Sequence, residues 1–217
     1  MTTAVGVFAR APSSIGKTRL APHLAPARLR ALRAALLADT LDALASLTGV
    51  FLFFTPDEAE QEVESLAGTA IPCLPQRGAD LGARMLGAVR YLLEDRTYDA
   101  ALLVGSDIPL VTASHFREAV DTLQADGGLV LGPADDGGYY LIGMTQPHAA
   151  LFEGIAWGGE SVLVDTLRAA ERIGVDARLV RRAYDVDTFD DLLRLERDLA
   201  WTPEGVSPAV RRWFSEG

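Results

Sequence analysis

The stretch that most constrains the fold is Ala100–Leu110, AALLVGSDIPL. It begins with the apolar run Ala100–Val104, and such a run bounded by turn residues is typical of a strand buried on both faces. Pro109 prevents a simple continuation of that strand, because proline has no amide N–H to donate to a neighbour. The stretch therefore presents Asp107 where a buried strand ends, and in open α/β sheets ligands bind at the carboxyl ends of the strands.

The remaining chain alternates short apolar runs with helical periodicities, which predicts an α/β protein. Leucines spaced by three and four residues predict a long amphipathic helix over Ala27–Ser46. Further strands are predicted at Val5–Ala9, Val50–Phe54, Ile71–Leu74, Leu129–Leu131, Tyr139–Ile142 and Arg178–Tyr184. The connection GPADDGG is too short for a crossover helix, so one strand is expected to be antiparallel. We predict one domain over residues 1–217, a three-layer α/β sandwich with a mostly parallel mixed sheet.

Composition narrows the classes of function. The net charge of −10 argues against general binding to nucleic acid, although it leaves room for a local basic site. The N-terminus shows no signal peptide, and no apolar run approaches the roughly 18 residues that span a membrane. The single cysteine, Cys73, allows no internal disulfide and fits a reducing compartment. We therefore expect a cytoplasmic protein with no membrane insertion.

The first loop, RAPSSIGKT over Arg10–Thr18, is a candidate phosphate site. Lys17 is the single lysine among 20 basic residues, and an ammonium approaches phosphate as a compact point charge. The segment also matches the P-loop pattern G-x-x-x-x-G-K-[ST] except for Ala11 in its first position. Because Pro22 and Pro26 disfavour the helix that must begin at the lysine, we keep the weaker inference that Lys17 and nearby N–H groups suit phosphate oxygens.

Two further aspartates, Asp185 and Asp187, are predicted to end the last strand, as Asp107 ends a middle one. Strand alternation would point both side chains to the same side. Carboxylates that meet at one sheet edge can bind Mg²⁺ or Mn²⁺ together with phosphate oxygens and water. The alternative for Asp187 is a helix cap, with Asp190 as the second member of a capping pair.

The segment Gly132–Gly143, GPADDGGYYLIG, allows two interpretations. Asp135 and Asp136 precede Gly137 and Gly138, which permit close approach of the backbone to a ligand. A tight hairpin with Asp-Gly turn chemistry accounts for the same residues. Similarly, Arg84 early on a predicted helix could reach an anion or could be a solvated helix residue.

Several motifs in order resemble a known family. FARAPSSIGKTRLAPHL, LGARM, VGSDIPLVT, GPADDGGYYLIG, W-x-x-x-S-V-L-x-x-T and DVDT are similar to a bacterial family of arsenosugar-biosynthesis-type glycosyltransferases. That family has the GT-A fold of the nucleotide-diphospho-sugar transferases, with a Rossmann-like mixed sheet. KTRLAP also resembles the 2-phospholactate guanylyltransferases, which share the superfamily. The resemblance covers about residues 5–199.

The resemblance implies a nucleotide donor and a divalent metal. In it Lys17 and Arg10 would hold donor phosphates, and Asp107 would bind the metal. Asp185 and Asp187 would complete the metal site in the guanylyltransferase manner, and the segment Asp135–Gly138 would line the acceptor or donor pocket. Two departures remain: Ser106-Asp107 stands where a glycosyltransferase has Asp-x-Asp, and Tyr139-Tyr140 stands where the guanylyltransferases have Thr-Asn.

We therefore expect a metal-dependent transferase, with glycosyl transfer from a nucleotide-diphospho-sugar to a small-molecule acceptor as the first hypothesis. Asp107, Lys17 and Asp136 are the expected catalytic residues, with Asp136 as a base. Nucleotidyl transfer with release of pyrophosphate is the alternative. A P-loop NTPase or kinase built on Lys17, and a non-catalytic nucleotide-binding module, are ranked below these two.

Overall fold

The computed structural model describes residues 1–216, in which seven strands form one sheet. The strands are β1 (Thr3–Arg10), β2 (Val50–Thr55), β3 (Cys73–Pro75), β4 (Ala100–Gly105), β5 (Leu129–Pro133), β6 (Tyr139–Met144) and β7 (Ala177–Leu179). They lie in the order β3-β2-β1-β4-β6-β5-β7. Strand β6 runs antiparallel to β4 and β5, and the other pairs are parallel. The predicted mixed sheet with one antiparallel strand is confirmed.

Helices cover both faces of this sheet. They are α1 (Pro26–Leu44), α2 (Glu60–Ala67), α3 (Leu81–Arg90), α4 (Ala113–Asp126), α5 (Val162–Arg172), α6 (Phe189–Leu199) and α7 (Pro208–Ser215). Val5 and Val7 of β1 pack on the face shared with α1, α2 and α4. Phe51 and Phe53 of β2 point to the opposite face, which α3 and α5 cover. The three-layer sandwich is therefore confirmed, and no helix in residues 1–216 has the length and hydropathy needed to cross a membrane.

A third apolar cluster lies outside the sheet, where α6 and α7 pack against α1. Leu36 of α1, Leu195 of α6 and Trp213 of α7 are all buried in this cluster. Asp39 of α1 accepts hydrogen bonds from the amides of Ala209 (2.8 Å) and Val210 (2.9 Å) at the start of α7. These bonds satisfy amide groups that have no partner within the helix, so α1 fixes where α7 begins.

The prediction of a last strand over Arg178–Tyr184 is wrong in extent, because β7 is limited to Ala177–Leu179. Beyond it the amides of Val180 and Ala183 still donate to the carbonyls of β5, 3.0 Å in each case. The regular ladder is interrupted at Pro133, which has no N–H to return, and one isolated parallel bridge follows between Ala134 and Ala183. The segment that carries DVDT is consequently an irregular extension of the chain between β7 and α6.

The hairpin between β5 and β6 packs its tip against the start of α5. Gly137, at the tip, has φ +89°, and a Cβ there would lie 2.1 Å from the carbonyl oxygen of Glu160. The Gly137 carbonyl in turn accepts a hydrogen bond of 3.0 Å from the amide of Leu163. The backbone of Glu160 therefore occupies the space where a side chain of residue 137 would lie, so this position requires glycine.

We expect Gly137→Ala to lower the free energy of unfolding by about 3 kcal/mol, since it adds a backbone clash to an unfavourable φ. Gly158→Ala is the matched control, because Gly158 has φ +82° with nothing within 4 Å of its Cβ position. That control should cost only about 1 kcal/mol. Urea denaturation measures both values, and equal losses would contradict the packing role of Gly137.

Candidate active site

Three segments that are far apart in the sequence meet at the carboxyl edge of the sheet. Lys17 lies in the loop after β1, and Asp107 follows the adjacent parallel strand β4. Asp187 lies in the extension before α6. The amide of Val186 donates to the carbonyl of Asp107 over 3.1 Å, which fixes the extension against the end of β4. The convergence expected from the sequence is therefore present.

The Lys17 ammonium is the centre of this arrangement. Its Nζ lies 2.6 Å from the carbonyl oxygen of Val186 and 3.1 Å from carboxylate oxygens of both Asp107 and Asp187. The side chain of Lys17 is only 3% exposed. Burial lowers the pKa of Lys17, but the attraction of the two carboxylates outweighs burial and leaves the pKa above its ordinary value. Lys17 is therefore a charged ammonium at neutral pH.

Arg33 of α1 holds the first loop in place. Its buried guanidinium donates to the carbonyls of Arg10 (3.2 Å), Pro12 (2.9 Å) and Ser14. Burial lowers the pKa of Arg33, yet its planar fork satisfies several carbonyls at once. Sequence reasoning missed this residue, although a charged side chain inside the leucine periodicity of α1 was a usable signal.

The first loop does not have the geometry of a P-loop. Residues 17–24 form turns, and α1 begins only at Pro26, where a proline is favourable because its missing N–H would have no partner. Lys17 itself has φ +48°, a left-handed conformation outside any helix. Because no helix begins at this lysine, the first loop is not a P-loop, and the structural premise of the P-loop NTPase hypothesis is wrong.

Asp187 does not cap α6, so that alternative is also wrong. The hydroxyl of Thr188 accepts from the amide of Asp191 (3.2 Å), and the carboxylate of Asp191 accepts from the amide of Thr188 (2.7 Å). This reciprocal pair is a capping box one residue further along the chain than expected. Asp187 is therefore left to pair with Lys17.

Next to this cluster lies a cavity of about 240 Å³. Its lining residues are Leu81, Met85, Gly105, Asp107, Ile108, Ala134, Asp136, Gly138, Tyr139, Tyr140, Trp157, Gly158, Gly159, Val162 and Asp185. Burial, together with repulsion from Asp187 and Asp136, raises the pKa of Asp185 to about 6. The cavity thus lies between the end of β4, the hairpin tip and the DVDT segment. Each of these three segments contributes one aspartate to its lining.

The two aspartates of the hairpin have different surroundings. Asp135 is held by two arginines: its carboxylate lies 2.7 Å from Arg194 and 3.6 Å from Arg182. Asp136 lines the cavity, and its Oδ1 accepts from the amide of Gly138 over 2.9 Å. The turn interpretation of this segment therefore explains part of it, while Asp136 is also presented to the cavity. A binding role for Asp135 stays a prediction.

Two predicted residues, Arg10 and Arg84, remain to be placed. Arg10 is exposed, and its guanidinium donates to the carbonyl of Ile15 over 3.3 Å. Arg84 donates to the carbonyl of Gly78 over 3.2 Å and lines a different cavity, of about 280 Å³, beside Arg77. The structure does not bring Arg84 to the cluster around Lys17, and its role in binding stays a prediction.

The metal site also stays a prediction. Within residues 1–216, no three His, Cys, Asp or Glu side chains are grouped so that they could hold a metal ion. The ammonium of Lys17 lies between Asp107 and Asp187, where it balances part of their charge. Both carboxylates are about half exposed, 50% and 44%, so each retains an open side toward solvent.

We expect Lys17→Met to lower the free energy of unfolding by about 2–3 kcal/mol, because it leaves Asp107 and Asp187 without their counter-charge. The half-exposure of the two carboxylates keeps this loss below that of a fully buried pair. Arg19→Met, at an exposed position of the same loop, is the control. Denaturation by urea that gives equal stabilities for both variants would show that the ammonium does not hold these segments together.

The raised pKa of Asp185 predicts a pH-dependent stability. A carboxyl whose pKa is higher in the folded state binds more protons there, so it lowers stability as pH rises from about 4 to about 6. Asp185→Asn should therefore raise the melting temperature above pH 6 and leave it nearly unchanged below pH 4. Thermal unfolding in EDTA measures this, with Asp121→Asn on the exposed side of α4 as the control. A difference that is constant with pH would contradict the assignment.

Comparison with solved structures identifies the fold. A protein from Desulfovibrio desulfuricans G20, provisionally named a nucleotide-diphospho-sugar transferase, superposes with a TM-score of 0.90 at 29% identity, over 100% of this chain and 95% of that one. A cytidylyltransferase from Leptospira borgpetersenii gives 0.62 at 15% identity, over 100% and 94%. A CMP:2-keto-3-deoxy-manno-octonic acid synthetase gives 0.60 at 12%, over 93% and 99%. The fold expected from the resemblance is confirmed.

Comparison of the sequence alone gives one family and no curated relative. A search of curated proteins found no match. One family model matches residues 38–159, more than half of the chain, and its description is an uncharacterized protein conserved in bacteria. The matched residues include Asp107, the hairpin tip and Trp157. The chain belongs to this bacterial family, DUF2064, and has the fold of the nucleotide-diphospho-sugar transferases.

Proposed function

We propose that the protein is an enzyme that transfers a glycosyl group from a nucleotide-diphospho-sugar to a small-molecule acceptor, with the help of Mg²⁺ or Mn²⁺. The observation that carries this proposal is the cluster of Lys17, Asp107 and Asp187 beside a cavity at the carboxyl edge of the sheet. In α/β sheets this edge is where ligands bind. The likeness of the whole chain to a provisionally named transferase, at 29% identity, supports the same class.

The donor phosphates are assigned to the first loop. Arg10 and Arg19 are exposed there, and both can turn toward an anion. Arg33 keeps the loop in one conformation through its bonds to the backbone, so the phosphate site is preformed. Lys17 contributes positive potential from beneath the loop, although its three hydrogen bonds all go to protein oxygens.

The side chains present fit a divalent ion that arrives with the donor. Asp107 and Asp187 each have an oxygen side open to solvent, and Mg²⁺ takes one or two carboxylates together with phosphate oxygens and water. Asp185, which lines the cavity with Asp107, is proposed as a third ligand. Within residues 1–216 these carboxylates are not grouped as a ready-made metal site, so phosphate oxygens and water would have to complete the coordination. The ion would stabilise the charge that develops on the departing nucleoside diphosphate.

Asp136 is proposed as the base that takes the proton from the acceptor hydroxyl. It lines the cavity, and the amide of Gly138 fixes one of its oxygens at 2.9 Å. The other oxygen remains available to accept a proton. A base that is held in position and faces the acceptor is the arrangement that general base catalysis requires.

Nucleotidyl transfer is the second candidate, and the acidic pair Asp185 and Asp187 favours it. The resemblance to guanylyltransferases, which KTRLAP carries, implies that this pair completes a metal site. One structure with this fold, from Leptospira borgpetersenii, is named a cytidylyltransferase. In that reaction the acceptor attacks the α-phosphate of a nucleoside triphosphate, and pyrophosphate leaves. The two candidates differ in the leaving group, so the products distinguish them.

Isothermal titration with Mg²⁺ or Mn²⁺, first with nucleotide-diphospho-sugars and then with nucleoside triphosphates, tests the proposal. We expect Asp107→Ala to weaken metal-dependent donor binding by at least about tenfold, since a metal-binding carboxylate is lost. Asp121→Ala, remote on α4, should bind as the unsubstituted protein does.

Turnover assays then separate the candidates. Release of a nucleoside diphosphate supports glycosyl transfer, and release of pyrophosphate supports nucleotidyl transfer. Tight donor binding without turnover across a broad acceptor panel would instead indicate a non-catalytic nucleotide-binding module. If neither class of donor binds, the proposed function is wrong.

A further inference from the structure

The cavity beside the Lys17 cluster has a one-sided charge. Three of its described lining residues are carboxylates, Asp107, Asp136 and Asp185, and none is Lys, Arg or His. An anionic ligand in this cavity would face three carboxylates without a cation on the walls. Like charges brought together in a recess from which water is partly excluded cost several kcal/mol. The cavity is therefore selective against negative charge.

The neighbouring basic side chains do not reverse the negative charge of the cavity lining. Lys17 already pairs with Asp107 and Asp187, and Arg194 and Arg182 both lie against Asp135. Arg194 also lies 3.6 Å from the carboxylate of Asp198, so each of these cations faces a carboxylate of the protein. The exposed arginines of the first loop, assigned above to the donor phosphates, are not among the lining residues.

The other side chains that line the cavity are mostly apolar or aromatic. Trp157 lies edge-on to Tyr139, with ring centroids 6.4 Å apart, and both line the cavity together with Met85 of α3. Packing fixes the indole, because a Cβ at Gly82 would lie 2.7 Å from Trp157 Nε1. Such side chains suit the C–H face of a ligand, and the carboxylates of the same lining can accept hydrogen bonds from its hydroxyl groups.

The size of the cavity limits the ligand to a small group. Its volume of about 240 Å³ lies below the roughly 300–1,000 Å³ of sites for drug-sized ligands. A complete nucleotide-sugar cannot be enclosed in it, so it receives one part of the reacting pair.

We propose that this cavity binds a neutral, hydroxyl-bearing group with an apolar face and rejects anionic groups of the same size. The inference rests on the proposed function for the identity of the occupant, which is the donor sugar or the acceptor. The inference excludes an acceptor that places a phosphate or a carboxylate group in this cavity. Charge selectivity is a property of the cavity itself and can be measured without a donor.

Two probes of nearly equal size test the selectivity: methyl β-D-glucoside, which is neutral, and methyl β-D-glucuronide, in which a carboxylate replaces the CH₂OH group. Tryptophan fluorescence of the full chain in EDTA reports binding. We expect the glucoside to bind at least about tenfold more tightly than the glucuronide, because the latter faces the carboxylates. Trp157→Phe should remove the signal, and Trp201→Phe, at a position 90% exposed, should keep it.

Removing one carboxylate tests the cause. Asp136→Asn should reduce the preference for the glucoside by about tenfold, and Asp121→Asn should leave it unchanged. Asp185→Asn provides a second variant should Asp136→Asn not fold, as judged by circular dichroism. The inference is overturned if the glucuronide binds as well as the glucoside, if neither probe binds, or if the charge-removing variants keep the full preference.

Competition identifies the occupant and separates the two proposals. If UDP-glucose with Mg²⁺ displaces the glucoside, the occupant is the donor sugar, and if both bind together, it is the acceptor. Donor binding without charge selectivity overturns this inference and leaves the proposed function standing. Selective binding of the glucoside with no binding of any nucleotide overturns the proposed function alone.

Discussion

The site depends on one ammonium group that holds together three distant parts of the chain. Lys17 Nζ has three protons to donate, and it has three oxygen partners, from Asp107, Val186 and Asp187. Placing this cation where its side chain is only 3% exposed carries a desolvation cost, which two carboxylates offset. An arginine could not replace it without moving the partners, since a planar fork does not match three oxygens around a point. The sequence uses arginine at every other basic position.

The same charges bear on how the proposed donor would bind. Lys17 contributes one positive charge against Asp107 and Asp187, and Asp136 and Asp185 add further negative charge next to them. A diphosphate that approached this edge alone would be repelled. Under the proposed function, a divalent cation that arrived with the phosphates would remove that repulsion, and the half-exposed carboxylates leave room for it. The negative cavity and the proposed metal dependence are thus two consequences of one charge distribution.

The sequence correctly predicted those helices and strands whose positions depend on residues close together in the chain. The alternation of apolar runs and leucine periodicity located the strands and α1, and the short GPADDGG connection located the antiparallel strand. The end of β7 was missed because it depends on the partner strand, where Pro133 removes a donor. Of the site, the convergence of Lys17 and Asp107 followed from their positions after adjacent parallel strands. Asp187 reaches them through an irregular extension, where a strand was predicted. The direct pairing of these side chains did not follow, since nothing in a sequence specifies which oxygen an ammonium will reach.

Residues that do not line the cavity also hold the site in place. Leu20 follows the first loop and Val186 lies between the two aspartates of the DVDT segment, and both are fully buried in the cluster under α6 and α7. The loop and the extension are therefore anchored in the same apolar cluster. Asp39 fixes the start of α7 against α1, so the position of that cluster is itself set by α1. Arg33, on the same helix, holds the first loop. Helix α1 thus positions both the first loop and the DVDT segment. A substitution that loosened the packing of α1 would therefore disturb the site without touching a bound ligand.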